Sequence, residues 1–205
     1  MEQNLDNAKK TAEFLLQIKA VKLNKNEPFT WASGWKSPIY CDNRKTLSYP
    51  KIRTYIRQEF AELIREEIGE VDVIAGVATG AVAIGALVAE ELGKPFVYIR
   101  SSSKGHGLQN KIEGVVESGQ SVVVIEDLIS TGGSSLKAVE ALRSAGCNVK
   151  ALVAIFTYGF EVSEKAFEDA NCPLITLTDY EMLIEQALDS GYVTESEVAS
   201  LKEWR

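Results

Sequence analysis

The stretch that decides the fold runs Val122-Val123-Val124-Ile125-Glu126-Asp127-Leu128-Ile129-Ser130-Thr131-Gly132-Gly133-Ser134-Ser135. Its first four residues are β-branched and uninterrupted by polar ones, the pattern of a strand covered on both faces. We expect a strand over Ser121–Glu126 that stops at the paired carboxylates, a glycine-rich turn, and a helix over about residues 133–145. On either side the same rhythm continues. Val71–Ala75 and Pro95–Arg100 read as further strands separated by a helix at about 80–92. Val149–Thr157 reads as a fourth strand, with more helices and one short strand after it. Upstream, residues 6–20 and 50–68 carry helical spacing, the second through Ile52, Ile56, Phe60 and Ile64, and residues 29–41 look extended. Strands alternating with helices imply an α/β fold with a mostly parallel central sheet flanked by helices on both faces. Ligands of such sheets lie at the carboxyl ends of strands beside a switch point, which directs attention to Ala75, Arg100 and Glu126.

The third of these strand ends is chemically the richest. Around Gly132-Gly133, the hydroxyls of Ser130, Thr131, Ser134 and Ser135 surround a backbone that small residues leave accessible. Main-chain N–H groups can crowd an anion there, and the following helix adds its N-terminal donors and positive dipole end. A carboxylate pair beside a phosphate is repulsive unless the ligand also brings hydroxyls or a cation. A ribose 5-phosphate meets both demands, with phosphate in the turn and hydroxyls on Glu126 and Asp127. The serine, threonine and glycine residues taken alone favour an ordinary capped strand–turn–helix junction; the paired acids at the strand end tip the reading to a ligand. No lysine follows the glycines as a P-loop requires, and the G-x-G-x-x-G of dinucleotide sites is missing.

Composition narrows the class. The chain has 205 residues, 45% apolar and 25% charged, which suits one packed domain. A net charge of −7 disfavours a general duplex-DNA binder. Cys41, Cys147 and Cys172 lack metal-ligand spacing and read as reduced thiols, and His106 is the single histidine, so no multi-histidine metal site exists. With no membrane-length apolar run and a polar N-terminus, a cytoplasmic location is expected.

VVVIEDLISTGGSS resembles the phosphoribosyl-pyrophosphate signature of type I phosphoribosyltransferases. FTWASGWKSPIYCDNRKTLSYP (residues 29–50) and YIRSSSKGHGLQNKIEG (residues 98–114) are similar to the corresponding segments of the orotate phosphoribosyltransferase family, and the three occur in family order. The resemblance implies a single type I phosphoribosyltransferase domain over residues 1–205. A small N-terminal hood would come from about residues 1–45, with the C-terminal segment as a second candidate contributor. It implies a glycosyltransferase that moves the 5-phosphoribosyl group from phosphoribosyl pyrophosphate to orotate, giving orotidine 5′-phosphate and pyrophosphate in pyrimidine (UMP) biosynthesis. It further implies Mg2+ carried mainly on substrate oxygens and water, with no firmly assigned protein ligand, and a homodimer whose catalytic loop serves the neighbouring site. Neither nucleic acid nor a membrane is expected as a partner.

Carried onto these residues, the family pattern puts phosphoribosyl pyrophosphate on Arg100, Lys104, His106 and the run Glu126, Asp127, Leu128, Ile129, Ser130, Thr131, Gly132, Gly133 and Ser134. The implied catalytic groups are Lys104, His106 and Asp127. The loop Ser101–Glu113 is long, polar and glycine-bearing, as lids are; without the resemblance it would pass for a solvated surface loop. Orotate is expected near Ser130, with Arg44 the favoured partner of its carboxylate and Lys36 the second candidate. Three positions depart from the family: Ala32, Gly80 and Ser101 stand where many members carry lysine. A purine phosphoribosyltransferase is the nearest rival, opposed by the hood and the R-x3-K-x-H loop. A non-catalytic sensor of phosphoribosyl pyrophosphate is the rival from another class, opposed by the retained loop residues and the absence of a spare domain.

Overall fold

The computed structural model describes residues 5–24, 28–30, 36–100 and 111–204. Its centre is a six-stranded sheet built from β5 (Val73–Val77), β6 (Phe96–Ile99), β7 (Ile112–Glu113), β8 (Ser121–Ile129), β9 (Asn148–Thr157) and β10 (Leu174–Asp179). Ahead of these lie β1 (Val21–Leu23), β2 (Phe29–Thr30), β3 (Lys36–Ser37) and β4 (Ile39–Cys41) in two small two-stranded sheets. The helices are α1 (Leu5–Gln17), α2 (Pro50–Leu63), α3 (Val82–Leu92), α4 (Gly133–Ser144), α5 (Glu161–Asp169), α6 (Tyr180–Asp189) and α7 (Glu195–Glu203).

The central sheet runs β10-β9-β8-β5-β6-β7, parallel throughout except for β7, which returns antiparallel to β6. The alternation of side chains along β8 explains why helices cover both faces. Val123 and Ile125 face a core shared with α1, α2, α3 and α6, whereas Val122 and Val124 face a second core against α4 and α5. All four are fully buried, so the apolar run follows from lying at the middle of the sheet. In α2, Ile52, Ile56 and Phe60 recur every fourth residue and form one buried stripe, started by Pro50 at the first helical position.

The chain passes from β5 outward to β6 and β7, then crosses back to place β8 on the other side of β5. The switch point therefore lies between the carboxyl ends of β5 and β8. Several boundaries differ from those read in the sequence: the strand expected over Val71–Ala75 is β5, Val73–Val77, and the helix expected over 6–20 ends at Gln17. β8 does not stop at the carboxylates: it continues to Ile129, because β9 pairs with it as far as Ile129↔Thr157. Glu126 and Asp127 thus sit inside a strand rather than after it. The helix expected over 50–68 changes at Ile64 into a π-helical turn, Ile64–Ile68. Apolar spacing carries no mark of that change in hydrogen-bond pattern.

Candidate active site at the sheet switch point

β8 outruns β5. Pairing between them ends at Gly76↔Ile125, so the two acids of β8 lie beyond its last residue paired to β5, and Asp127 extends past Val77, where β5 ends. The cleft this leaves is bordered by the turn after β5, which contains Gly80. An added Cβ at Gly80 would stand 2.5 Å from Cγ and both carboxylate oxygens of Asp127. The Asp127 carboxylate therefore occupies the space a side chain at position 80 would need. The family lysine missing there cannot be accommodated without moving Asp127.

The two acids have different surroundings. Glu126 is 5% exposed; its Oε2 accepts a hydrogen bond from Ser135 Oγ at 2.8 Å and its Oε1 from the Asp127 N–H at 3.0 Å. Burial, then the neighbouring Asp127 charge, pushes the Glu126 carboxyl up to about 8. Asp127 is half-buried; burial raises its carboxyl too, while the Glu126 hydrogen bond and the Arg44 charge draw it down. Two carboxyls this close do not both ionise readily, and the buried Glu126 is the one that keeps the proton. Asp127 is then the acid presented to the cleft as a carboxylate.

The turn following β8 has the form expected of an anion cradle. Gly132 adopts the left-handed conformation, φ 79°, and an added Cβ would lie 2.8 Å from the Phe167 ring, so only glycine fits. Thr131, Gly133 and Ser134 are exposed, while Ser135 turns inward to Glu126. Gly133 opens α4, whose N-terminal donors face the same opening. Leu128 is half-buried; Ile129 is fully buried and its carbonyl accepts the Tyr158 N–H, so this pair holds the turn from below. Ser130, half-buried, begins the turn.

Arg100 closes β6, and its Nε lies 3.2 Å from Glu113 Oε1. Its N–H donates to the Lys111 carbonyl, so the β6–β7 stem brings both ends of segment 101–110 together. Ser101, Lys104 and His106 lie in that segment; they and Ala32 fall outside the described residues. Beside the stem, a cavity of about 170 Å³ lies between the ends of β5 and β6 and the start of α4. Arg100, Lys111, Ser134 and Lys137 contribute to its lining, and among the described residues no acidic one does. A larger hollow of about 300 Å³ starts at Gly133 of the turn and runs along α4 past Lys137, Glu140 and Arg143 to Ala170.

The hood candidates separate clearly. Lys36 donates from Nζ to Thr30 Oγ1 within the β2–β3 pair. Arg44 lies in a 3-10 helix, Asn43–Ser48, with its Nε 2.7 Å from Asp42 Oδ1, and its charge reaches Asp127. Asn43, which sequence reasoning passed over, is 1% exposed and donates from Nδ2 to the Asp127 carbonyl at 2.6 Å. That bond spans 84 positions of sequence, and no local pattern announces it.

The comparison with known proteins gives these features a family. A phosphoribosyl transferase domain model matches residues 47–188. The orotate phosphoribosyltransferase of Bacteroides fragilis is 61% identical over 194 residues, covering 95% of this chain and 92% of its own. The chain belongs to the orotate phosphoribosyltransferase family. Among solved structures of this family, the orotate phosphoribosyltransferase of Aeropyrum pernix superposes with a TM-score of 0.77 at 28% identity, over 89% of this chain and 99% of that one. The UMP synthase of Leishmania donovani superposes with a TM-score of 0.82 at 28% identity over 96% of this chain, which spans 42% of that longer protein. The family and the observed sheet agree on the type I phosphoribosyltransferase fold expected from the Val122–Ser135 stretch.

Proposed function

We propose that the chain transfers the 5-phosphoribosyl group of phosphoribosyl pyrophosphate to orotate, releasing pyrophosphate and forming orotidine 5′-phosphate. The observation that carries the reading is the meeting of a half-buried carboxylate, Asp127, with an open glycine turn at a helix N-terminus, in a family whose members are named for this reaction. The 5′-phosphate rests against the main chain and hydroxyls of Ser130, Thr131, Gly132, Gly133 and Ser134. Asp127 accepts the ribose hydroxyls and faces the positive charge that grows on the sugar as its C1–oxygen bond breaks. Glu126 backs it, keeping a proton, fixing the Asp127 N–H and tying Ser135 of the phosphate turn to the same point.

Pyrophosphate leaves toward the turn after β5 and the basic cavity beside Arg100, with Lys104 and His106 supplied by the segment that joins β6 to β7. Arg44 meets the orotate carboxylate, since of the two candidates, Arg44 and Lys36, it is the one whose charge acts on Asp127. Among the described residues no three metal-ligating side chains converge. Mg2+ would be carried mainly on pyrophosphate and ribose oxygens and water, with Asp127 facing it; when bound, the ion would offset charge on the leaving group.

We read the whole chain as one domain, with the hood built from residues up to about 45 together with the C-terminal segment. Trp204, just after α7, donates from its indole N–H to the Lys36 carbonyl and packs on Tyr158, Phe160 and Tyr180. A homodimer that lends its loop to the neighbouring site, and a cytoplasmic location, complete the proposal. The three cysteines are free thiols, and among the described residues no helix is long and apolar enough to cross a membrane. The deciding experiment is turnover by the purified protein with phosphoribosyl pyrophosphate, Mg2+ and, in turn, orotate, uracil, xanthine and adenine. Orotate alone should be consumed; a purine consumed in its place would overturn the assignment.

A further inference from the structure

Beyond Ile125, among the described residues, no strand pairs with β8 on the side that β5 had occupied. Side chains take over there. The Asp127 N–H donates to Glu126 Oε1 and the Asp127 carbonyl accepts from Asn43 Nδ2. The orientation of the Asn43 amide is itself fixed: Cys41 Sγ lies 3.1 Å from Asn43 Oδ1, and a thiol donating to that oxygen leaves the NH2 group facing Asp127. Burial raises the Cys41 thiol well above its ordinary range, which keeps it a donor. Thr46 Oγ1 donates to the Asn43 carbonyl at 2.6 Å and holds the 3-10 helix around it. Asn43 is therefore a buried residue, its side chain held by Cys41 and Asp127 and its carbonyl by Thr46, that bridges the hood to the main chain of the acid facing the cleft.

We propose that Asn43 is a positioning residue for the base side of the site. Its amide clamps the 3-10 helix of the hood to the open edge of β8 and so fixes Arg44, the next residue, opposite Asp127. The inference rests on the reaction proposed above and adds a residue to it. Losing the clamp frees the hood without touching the phosphate turn, so the two substrates respond differently.

The test has a kinetic arm and an arm that needs no turnover. In Asn43→Ala, the orotate KM should rise about tenfold, the scale of one lost hydrogen bond to a constrained partner, while the phosphoribosyl pyrophosphate KM stays within about twofold. Asn43→Asp, of the same size but with no amide donor, should do at least as much. In an Arg44→Ala background, Asn43→Ala should add little to the orotate KM, because both changes remove the same interaction. Effects that multiply in the double variant, or an orotate KM within about twofold of wild type in both single variants, overturn the proposal. Should Asn43→Ala fail to fold, Cys41→Ala removes only the thiol that orients the amide and should raise the orotate KM about threefold; no rise overturns the proposal equally. In the second arm, amide hydrogen exchange in Asn43→Ala or Asn43→Asp should quicken across residues 39–48 and not in the centre of β9. Unchanged exchange in the hood overturns the clamp whichever base the protein uses, whereas a wild type that ignores orotate overturns the proposed reaction and leaves this arm standing.

Discussion

Replacing Gly80 by alanine adds one methyl group where the Asp127 carboxylate now rests. The new Cβ would stand 2.5 Å from Cγ and both oxygens, against the 3.4 Å at which ordinary van der Waals contact begins. The carboxylate must retreat by about 0.9 Å, and a displacement near 1 Å at a reacting centre costs on the order of a hundredfold in rate, about 2.7 kcal/mol of barrier. The backbone at Gly80 does not have the positive φ that favours glycine, so alanine fits its conformation and should leave the melting temperature unchanged or slightly raised. The assay is initial rates of orotate consumption with each substrate varied, beside thermal unfolding of the same preparations. We expect kcat to fall about a hundredfold with a smaller change in the phosphoribosyl pyrophosphate KM, since the displaced carboxylate acts most strongly on the charge that develops in the transition state. Gly80→Lys should do no better, although it restores the cation found in many family members. A kcat within about threefold of wild type in a well-folded Gly80→Ala protein would refute the reasoning, because either Asp127 is not seated there or its position does not matter.

Asp127→Asn keeps the shape and removes the charge; kcat should drop by about a hundredfold or more, and a change confined to KM would contradict the charge-stabilising role. Arg44→Ala should raise the orotate KM about tenfold and spare phosphoribosyl pyrophosphate; an unchanged orotate KM removes Arg44 from the site. For Glu126, burial lifts the folded-state value to about 8 from an ordinary 4.5, so the folded protein holds a proton that the unfolded chain releases. The stability linked to it is present below pH 4.5 and lost as pH rises toward 8, so Glu126→Gln should flatten the fall in melting temperature over that window; parallel curves for the two proteins would show that Glu126 titrates normally. Gly132→Ala forces a side chain into the left-handed region and against Phe167, and should cost about 2 kcal/mol in denaturant unfolding; a loss under about 0.5 kcal/mol would mean that the turn adapts.

The sheet and the kind of ligand were legible in the order of residues. Val122–Ile125 reads as a central strand, since four adjacent β-branched residues with no polar break suit cover on both faces. The glycine and hydroxyl turn leading into α4 could be read as a phosphate cradle because each of its features acts locally, through conformational freedom and helix-end donors. Family motifs added the base, the loop residues and the reaction. Packing settled what depends on neighbours distant in sequence. β8 runs on to Ile129 because β9 pairs with it there, and Glu126 parts from Asp127 in exposure because Ser135 and the core enclose it. Gly80 stands against Asp127 only because the chain crosses back over β5 to lay down β8. Asn43 reaches the same acid across 84 positions. Period and propensity describe a segment's own backbone and face, whereas these contacts arise from where the sheet order brings two segments together, and that order is a property of the packed whole.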